Sequence, residues 1–133
     1  MTIPVLTLSL DESRRVFRPG ETLSGQYRID APVGGEPQAA ETSVLWYTEG
    51  KGDEDMAVHF FDRMSSDEQA YVDLRQSRRF STVLPSTPLS YDGVIVKIRW
   101  CVRLRVFLTR GKQLVEERPF QLGEVPQAWA VLP

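Results

Sequence analysis

The sequence predicts an all-β protein, folded as one antiparallel β-sandwich of about seven or eight strands. Three features of the chain point to it. Residues 94–108 are apolar at every even position: Val94, Val96, Ile98, Trp100, Val102, Leu104, Val106 and Leu108. Four odd positions are basic: Lys97, Arg99, Arg103 and Arg105. A period of two is that of a strand with one buried face and one wet face; a helix would scatter those charges around its axis. Turn signals also recur along the whole chain, and no long stretch has helical periodicity. Short strands between regularly spaced turns are the pattern of a sandwich.

The elements follow in order. Residues 5–10 read as a first strand, and 11–13 as a turn. Residues 14–18 read as a short extended piece ending at the Pro19-Gly20 turn. Residues 22–29 alternate again, with Leu23, Gly25, Tyr27 and Ile29 on one face. Gly25 inside that strand implies a bulge or the close approach of another segment. The stretch 31–40, rich in Pro and Gly, reads as a loop. Residues 42–48 form the next strand, with Val44 and Trp46 on one face and Leu45 and Tyr47 on the other. A polar hairpin loop, 49–55, leads to a strand at 56–61. Residues 62–69 are polar, with room for a helical turn, and 71–84 hold one or two strands. Two prolines and an Asp-Gly turn make 85–93 a compact loop. Gly93 is expected to need a positive φ there. The long strand at 94–108 would measure about 50 Å if straight, so it should bend, bulge or change neighbours. After a turn at 110–112, residues 113–122 form the last strand. Pro119 marks that strand as an edge or a bulge.

The chain has 133 residues, enough for one domain with a real core; it is read as a single unit, 1–124, with a tail, 125–133. A formal net charge of −2 argues against wholesale binding of nucleic acid or a membrane surface, and no apolar run is long enough to span a bilayer, so no nucleic-acid partner and no stable membrane insertion are expected. One cysteine, Cys101, excludes an intrachain disulfide. The first ten residues lack the basic start of a signal peptide, so a cytoplasmic setting is expected. No cofactor and no metal site are expected.

Two islands give a family resemblance. Residues 17–25, Phe-Arg-Pro-Gly-Glu-Thr-Leu-Ser-Gly, resemble the stretch that opens the second strand of the α-arrestin amino-terminal domain. Residues 80–93 resemble the same family's Pro-rich loop, and 98–103 its following strand. Order and spacing agree, and the retromer-subunit family shares the pattern. The resemblance implies a fold of the immunoglobulin-like or arrestin-like type and a non-catalytic, protein-binding habit. Arrestins carry two such sandwiches, and this chain has room for one. It has no PxY motif and no partner domain for an interdomain polar core, so a phosphate-sensing role does not carry over. Bacterial sporulation-control proteins resemble arrestins too.

The candidate surfaces are few. Lys97, Arg99, Arg103 and Arg105 form a basic stripe broken at Cys101, able to hold an acidic peptide, a phosphate or an anionic headgroup. Carboxylates on neighbouring strands, with Glu116 and Glu117 the nearest in sequence, are the simpler partners. Leu89, Tyr91 and Asp92 in the 85–93 loop are candidate contacts. Arg14, Arg15 and Arg18 form a second basic cluster, read as a solvated turn. Asp53, Glu54 and Asp55 match no calcium loop and read as a polar hairpin tip. His59 and Cys101 are the only good base and nucleophile, and they lack an orienting group and an oxyanion site. Nearby arginines are expected to lower the Cys101 pKa. Trp46, Tyr47, Phe60, Phe61 and Trp100 read most simply as core. Tyr47, Phe61 and Phe107 sit on the opposite faces of their strands, which allows a second apolar patch for a partner or a dimer.

The expected function is that of a protein-binding adaptor or scaffold. An edge strand, 113–122 or the first, could serve a homodimer. The alternatives are a carbohydrate- or anion-binding sandwich and, last, an enzyme using Cys101 and His59.

Overall fold

Nine strands and one short 3-10 turn make up the described part of the chain, residues 4–31, 36–52, 54–65 and 74–124 of a computed structural model. The strands are β1 (Val5–Leu10), β2 (Val16–Phe17), β3 (Thr22–Asp30), β4 (Pro37–Gly50) and β5 (Met56–Ser65). They continue with β6 (Arg78–Val83), β7 (Tyr91–Asp92), β8 (Val96–Leu108) and β9 (Gln113–Leu122). A three-stranded sheet has the order β1-β3-β6. The larger sheet has the order β2-β9-β8-β4-β5, with β7 also pairing β8. All pairs are antiparallel except β2 with β9, a two-residue parallel contact.

The core lies between the sheets and is built from the alternation. On β8 the even residues Trp100, Val102, Leu104 and Val106 are buried to about 1% exposure or less. They face Leu8, Leu23, Tyr27, Ile29 and Phe80 of the small sheet. Trp100 packs its ring against Phe120 and donates its indole N–H to the Pro88 carbonyl at 2.8 Å. That bond ties the 85–93 loop to the central strand. Ser90, also buried, locks the loop to β9: its N–H donates to the Leu122 carbonyl and its Oγ accepts from the Leu122 N–H, both at 2.8 Å.

β8 keeps β4 on one side along its full length and changes neighbours on the other. β9 pairs it from Phe107 back to Trp100, and β7 takes over at Ile98 and Lys97. This is how a strand of that length is accommodated. β9 turns the N–H groups of Gln121 and Gly123 toward Arg15 and Phe17 on the β2 side. Pro119 falls on the same alternation, so its missing donor faces the side away from β8, at an edge.

Three element boundaries differ from the sequence reading. β4 begins at Pro37, inside the stretch expected as a loop, because Ala39 and Ala40 pair on both sides, with β8 and with β5. Pro37 is tolerated as the first residue of the strand. β5 continues to Ser65 where a helical turn was allowed, because β4 supplies a ladder partner for each of residues 61–65. β8 starts at Val96, not Val94. Val94 and Ile95 are 87% and 69% exposed at the hairpin tip, where Gly93 N–H closes a turn onto the Val96 carbonyl. The two-residue strands raise the strand number to nine. The tail at 125–133, with Trp129 and Leu132, lies outside the described residues, as do residues 66–73.

Gly25 is a site of close approach, as its place in the strand implied. A Cβ there would sit 2.4 Å from the Ser9 carbonyl oxygen and 2.8 Å from the Phe80 ring. Gly93 is constrained by space rather than by conformation. It is not among the positive-φ glycines, but a Cβ would meet the Tyr91 ring at 2.3 Å.

Candidate functional site

The register of the large sheet places every candidate. Ala40, Thr42, Val44 and Trp46 of β4 pair with Val106, Leu104, Val102 and Trp100, so they face the core. Glu41, Ser43, Leu45, Tyr47 and Glu49 pair with Arg105, Arg103, Cys101, Arg99 and Lys97 and face outward. The basic stripe therefore lies on the outer face of the sheet, beside a row of β4 residues that includes two glutamates.

Three of the four basic residues are engaged by carboxylates. Lys97 Nζ lies 3.4 Å from Asp92. Arg99 lies 3.3 Å from Glu49 and 3.9 Å from Asp92. Arg103 lies 3.0 Å from Glu117, its partner across the β8–β9 ladder. Glu116 falls opposite Leu104 instead and pairs with Arg118 at 2.5 Å. Arg105 makes no ion pair among the described residues, and its buried Nε has no hydrogen-bond partner. Glu41, its neighbour on β4, is taken by Arg63 at 2.7 Å.

Cys101 sits in the middle of this face and is buried. Its thiol is pushed up to about 12, first by burial and then by the Glu117 carboxylate, which its Sγ approaches at 3.4 Å. This corrects the expected lowering by arginines. Arg103 does act in that direction, but desolvation of a thiolate inside the sheet outweighs one screened guanidinium.

His59 is on the other side of the sheet. Its Nε2 lies 2.8 Å from the Val83 carbonyl, and its ring stands edge-on to Trp100. Trp100 faces the core, and Cys101 faces away from it. The thiol and the imidazole therefore share no face, and the structure does not bring them together. The imidazole instead bridges the two sheets, linking β5 to β6.

Of the loop candidates, Leu89 and Tyr91 are 44% and 40% exposed, and Asp92 is the carboxylate that meets Lys97 and Arg99. The loop and the stripe converge at one place. A cleft of about 200 Å³ is lined by Arg15, Tyr47, Tyr91, Arg99 and Gln121, together with Trp100 and Phe120. Arg15 is the member that the sequence did not single out from its cluster. Its neighbour Arg14 is held by Glu12 and by Glu21, at 2.7 Å from the latter, while Arg15 has no ion pair among the described residues. What places Arg15 there is the β2–β9 contact, with Gln121 N–H donating to the Arg15 carbonyl at 2.7 Å. A two-residue strand carries no periodicity from which this could be read.

Asp53 lies outside the described residues, and Asp55 spends one oxygen on the Met56 N–H at 2.8 Å. Among the described residues, no three His, Cys, Asp or Glu side chains converge. No helix among them is long and apolar enough to cross a membrane.

Compared with known proteins, the chain has its likeness in shape. It is similar to Spo0M, a sporulation control protein from Bacillus subtilis, with a TM-score of 0.59 at 12% identity. The fold is arrestin-like. The match covers 93% of this chain and 51% of that one, so this chain spans about half the length of Spo0M. At that identity the likeness is one of fold, and it does not place the chain among α-arrestins or retromer subunits. No family description and no curated protein matches the sequence.

Proposed function

We propose that the chain is a non-catalytic protein-binding module of the adaptor or scaffold type. Its contact is the cleft where the basic face meets the 85–93 loop, and its ligand is a carboxylate-bearing extended segment of a partner protein. The observation that carries this reading is the composition of the cleft: two guanidinium groups, Arg15 and Arg99, beside the rings of Tyr47 and Tyr91. Guanidinium groups take carboxylates in bidentate fashion, and tyrosines add flat, half-apolar contact area at low entropic cost. Arg15 makes no ion pair among the described residues, whereas Lys97, Arg99 and Arg103 already meet carboxylates, so a ligand carboxylate would bind Arg15 directly and compete with Glu49 and Asp92 for Arg99. The arrestin-like fold supports the reading by analogy only. A reducing, cytoplasmic setting fits a lone buried thiol.

The test is fluorescence anisotropy with labelled glutamate-rich decapeptides and their serine-for-glutamate counterparts. The acidic set should bind, and Arg15→Glu with Arg99→Glu should weaken it at least tenfold. Equal binding of both peptide sets, or no effect of the charge reversals, would overturn the cleft as the site. Inorganic phosphate added as competitor separates a general anion site from one that needs a peptide.

A further inference from the structure

β5 is the far edge of the large sheet, and among the described residues no strand lies on its other side. Its register with β4 assigns a face to each residue. Met56, Val58, Phe61 and Arg63 pair with Tyr47, Leu45, Ser43 and Glu41 and face outward. Ala57, Phe60 and Asp62 pair with Trp46, Val44 and Thr42 and face inward. His59 is the extra residue of a bulge opposite Val44 and Leu45, and its ring also turns inward, to Val83 and Trp100. Residues 56–63 thus read out, in, out, in, in, out, in, out. That order is the same from either end, with its centre between His59 and Phe60.

A strand with such a palindrome can pair antiparallel with a copy of itself and keep every side chain on its own side of the sheet. Without the bulge, a one-residue change of register would invert all faces. With it, one register alone matches throughout: Met56 opposite Arg63, Ala57 opposite Asp62, Val58 opposite Phe61 and His59 opposite Phe60. The backbone agrees. Thr48 N–H donates to the Asp55 carbonyl, so Asp55 turns toward β4, and Met56 and Val58 turn away from it. Facing and hydrogen-bonding direction alternate together, so the four outward residues are the ones whose N–H and C=O groups point away from β4. The Met56 N–H, at the strand's end, is held by its neighbour Asp55 Oδ1 at 2.8 Å and would exchange that bond for one across the seam.

We propose that two copies of this chain associate through β5 about a two-fold axis between His59 and Phe60, joining their large sheets into one. A bulge usually blunts an edge strand against pairing. Here a second copy carries the same kink at the same point. The pair sets no like charges opposite each other and brings Val58 against Phe61 of the other copy, residues left 47% and 53% exposed in one chain. A C2 contact needs such a self-complementary patch. The proposal is independent of the cleft, none of whose lining residues belongs to β5.

Sedimentation of the full chain should give twice the 15.1 kDa of one copy. Val58→Lys should raise the dissociation constant at least tenfold, and Val58→Lys with Phe61→Glu should restore it by setting opposite charges across the seam. Both positions are exposed, and a far-ultraviolet spectrum confirms that each variant is folded. The register is tested by oxidising Val58→Cys and Phe61→Cys chains, separately and mixed, with the wild type as control for Cys101. Disulfide-linked dimers should form only in the mixture, because positions 58 and 61 of different copies face each other. Identical positions lie about three residues, roughly 10 Å, apart. A monomer at all concentrations, with the edge left to a foreign strand, would overturn the proposal, as would links between identical variants.

Discussion

The two faces of β8 are made from one stretch of chain and behave differently. On the inner face Trp100, Val102, Leu104 and Val106 are sealed between two sheets. On the outer face Arg99, Arg103 and Arg105 are partly exposed, yet Cys101 between them is as buried as the core. The inner face is covered by another layer. On the outer face Cys101 has, within the sheet, Leu45 of β4 and Pro119 of β9 on either side of the thiol. Burial on a one-layer face is thus a matter of what stands beside a residue, and it falls away within one or two rows.

The difference can be broken most forcefully from the inside. Leu104→Ala removes a side chain with no exposure from the middle of the core. It should cost about 2–5 kcal/mol of unfolding free energy, measured by urea denaturation. A loss under 1 kcal/mol would mean that the sheets close over the gap and the inner face is not tightly packed.

The thiol sharpens the comparison at the boundary. The Cys101 pKa is raised from an ordinary 9.0 to about 12 in the folded chain. The unfolded thiol loses its proton first, so the contribution is fully present below pH 9 and is lost as pH rises toward 12. In that window the slope is about 1.4 kcal/mol per pH unit for a full site. Comparing the wild type with Cys101→Ala across this range isolates the slope from the ionisation of lysines and tyrosines. Parallel curves would show that the thiol is no more buried than the arginines around it.

The outermost test has the smallest effect. Glu117→Gln removes the charge that meets Arg103 at 3.0 Å, on a pair that is partly exposed. The expected loss is about 0.2–1 kcal/mol, shrinking as salt is added. A loss several times larger, insensitive to salt, would make the outer face a buried polar layer and not a solvated one.

How far the sequence reached depends on the residue. The alternation of β8 named the buried residues of one face from Trp100 to Leu108, while Val94 and Val96 of the same row are 87% and 37% exposed and Cys101 of the other row is buried. The Pro19-Gly20 turn was legible, with Gly20 at φ 84. Phe61 is 53% exposed on the outward face, which departs from the simplest core assignment and accords with its alternative place in a second apolar patch; β5 is an edge, and the bulge at His59 shifts the register beyond it. Of the candidate surfaces, the stripe and the loop were visible as residue types. Their pairing with Asp92 and Glu49, and their meeting with Arg15 in one cleft, were not. Those contacts join residues far apart in the chain, and no local period records them.

The sequence by itself determined the class of this protein: a period of two in β8, turns that cut the rest into strands, and one charge pattern on the wet side. Side-chain alternation is a local property of an extended backbone, so it can be read one residue at a time. Only the tertiary structure decided which charges are spent, which thiol is sealed and which strand is left at the edge. Those outcomes depend on the neighbour across the ladder, and the order β2-β9-β8-β4-β5 is set by how the whole chain packs.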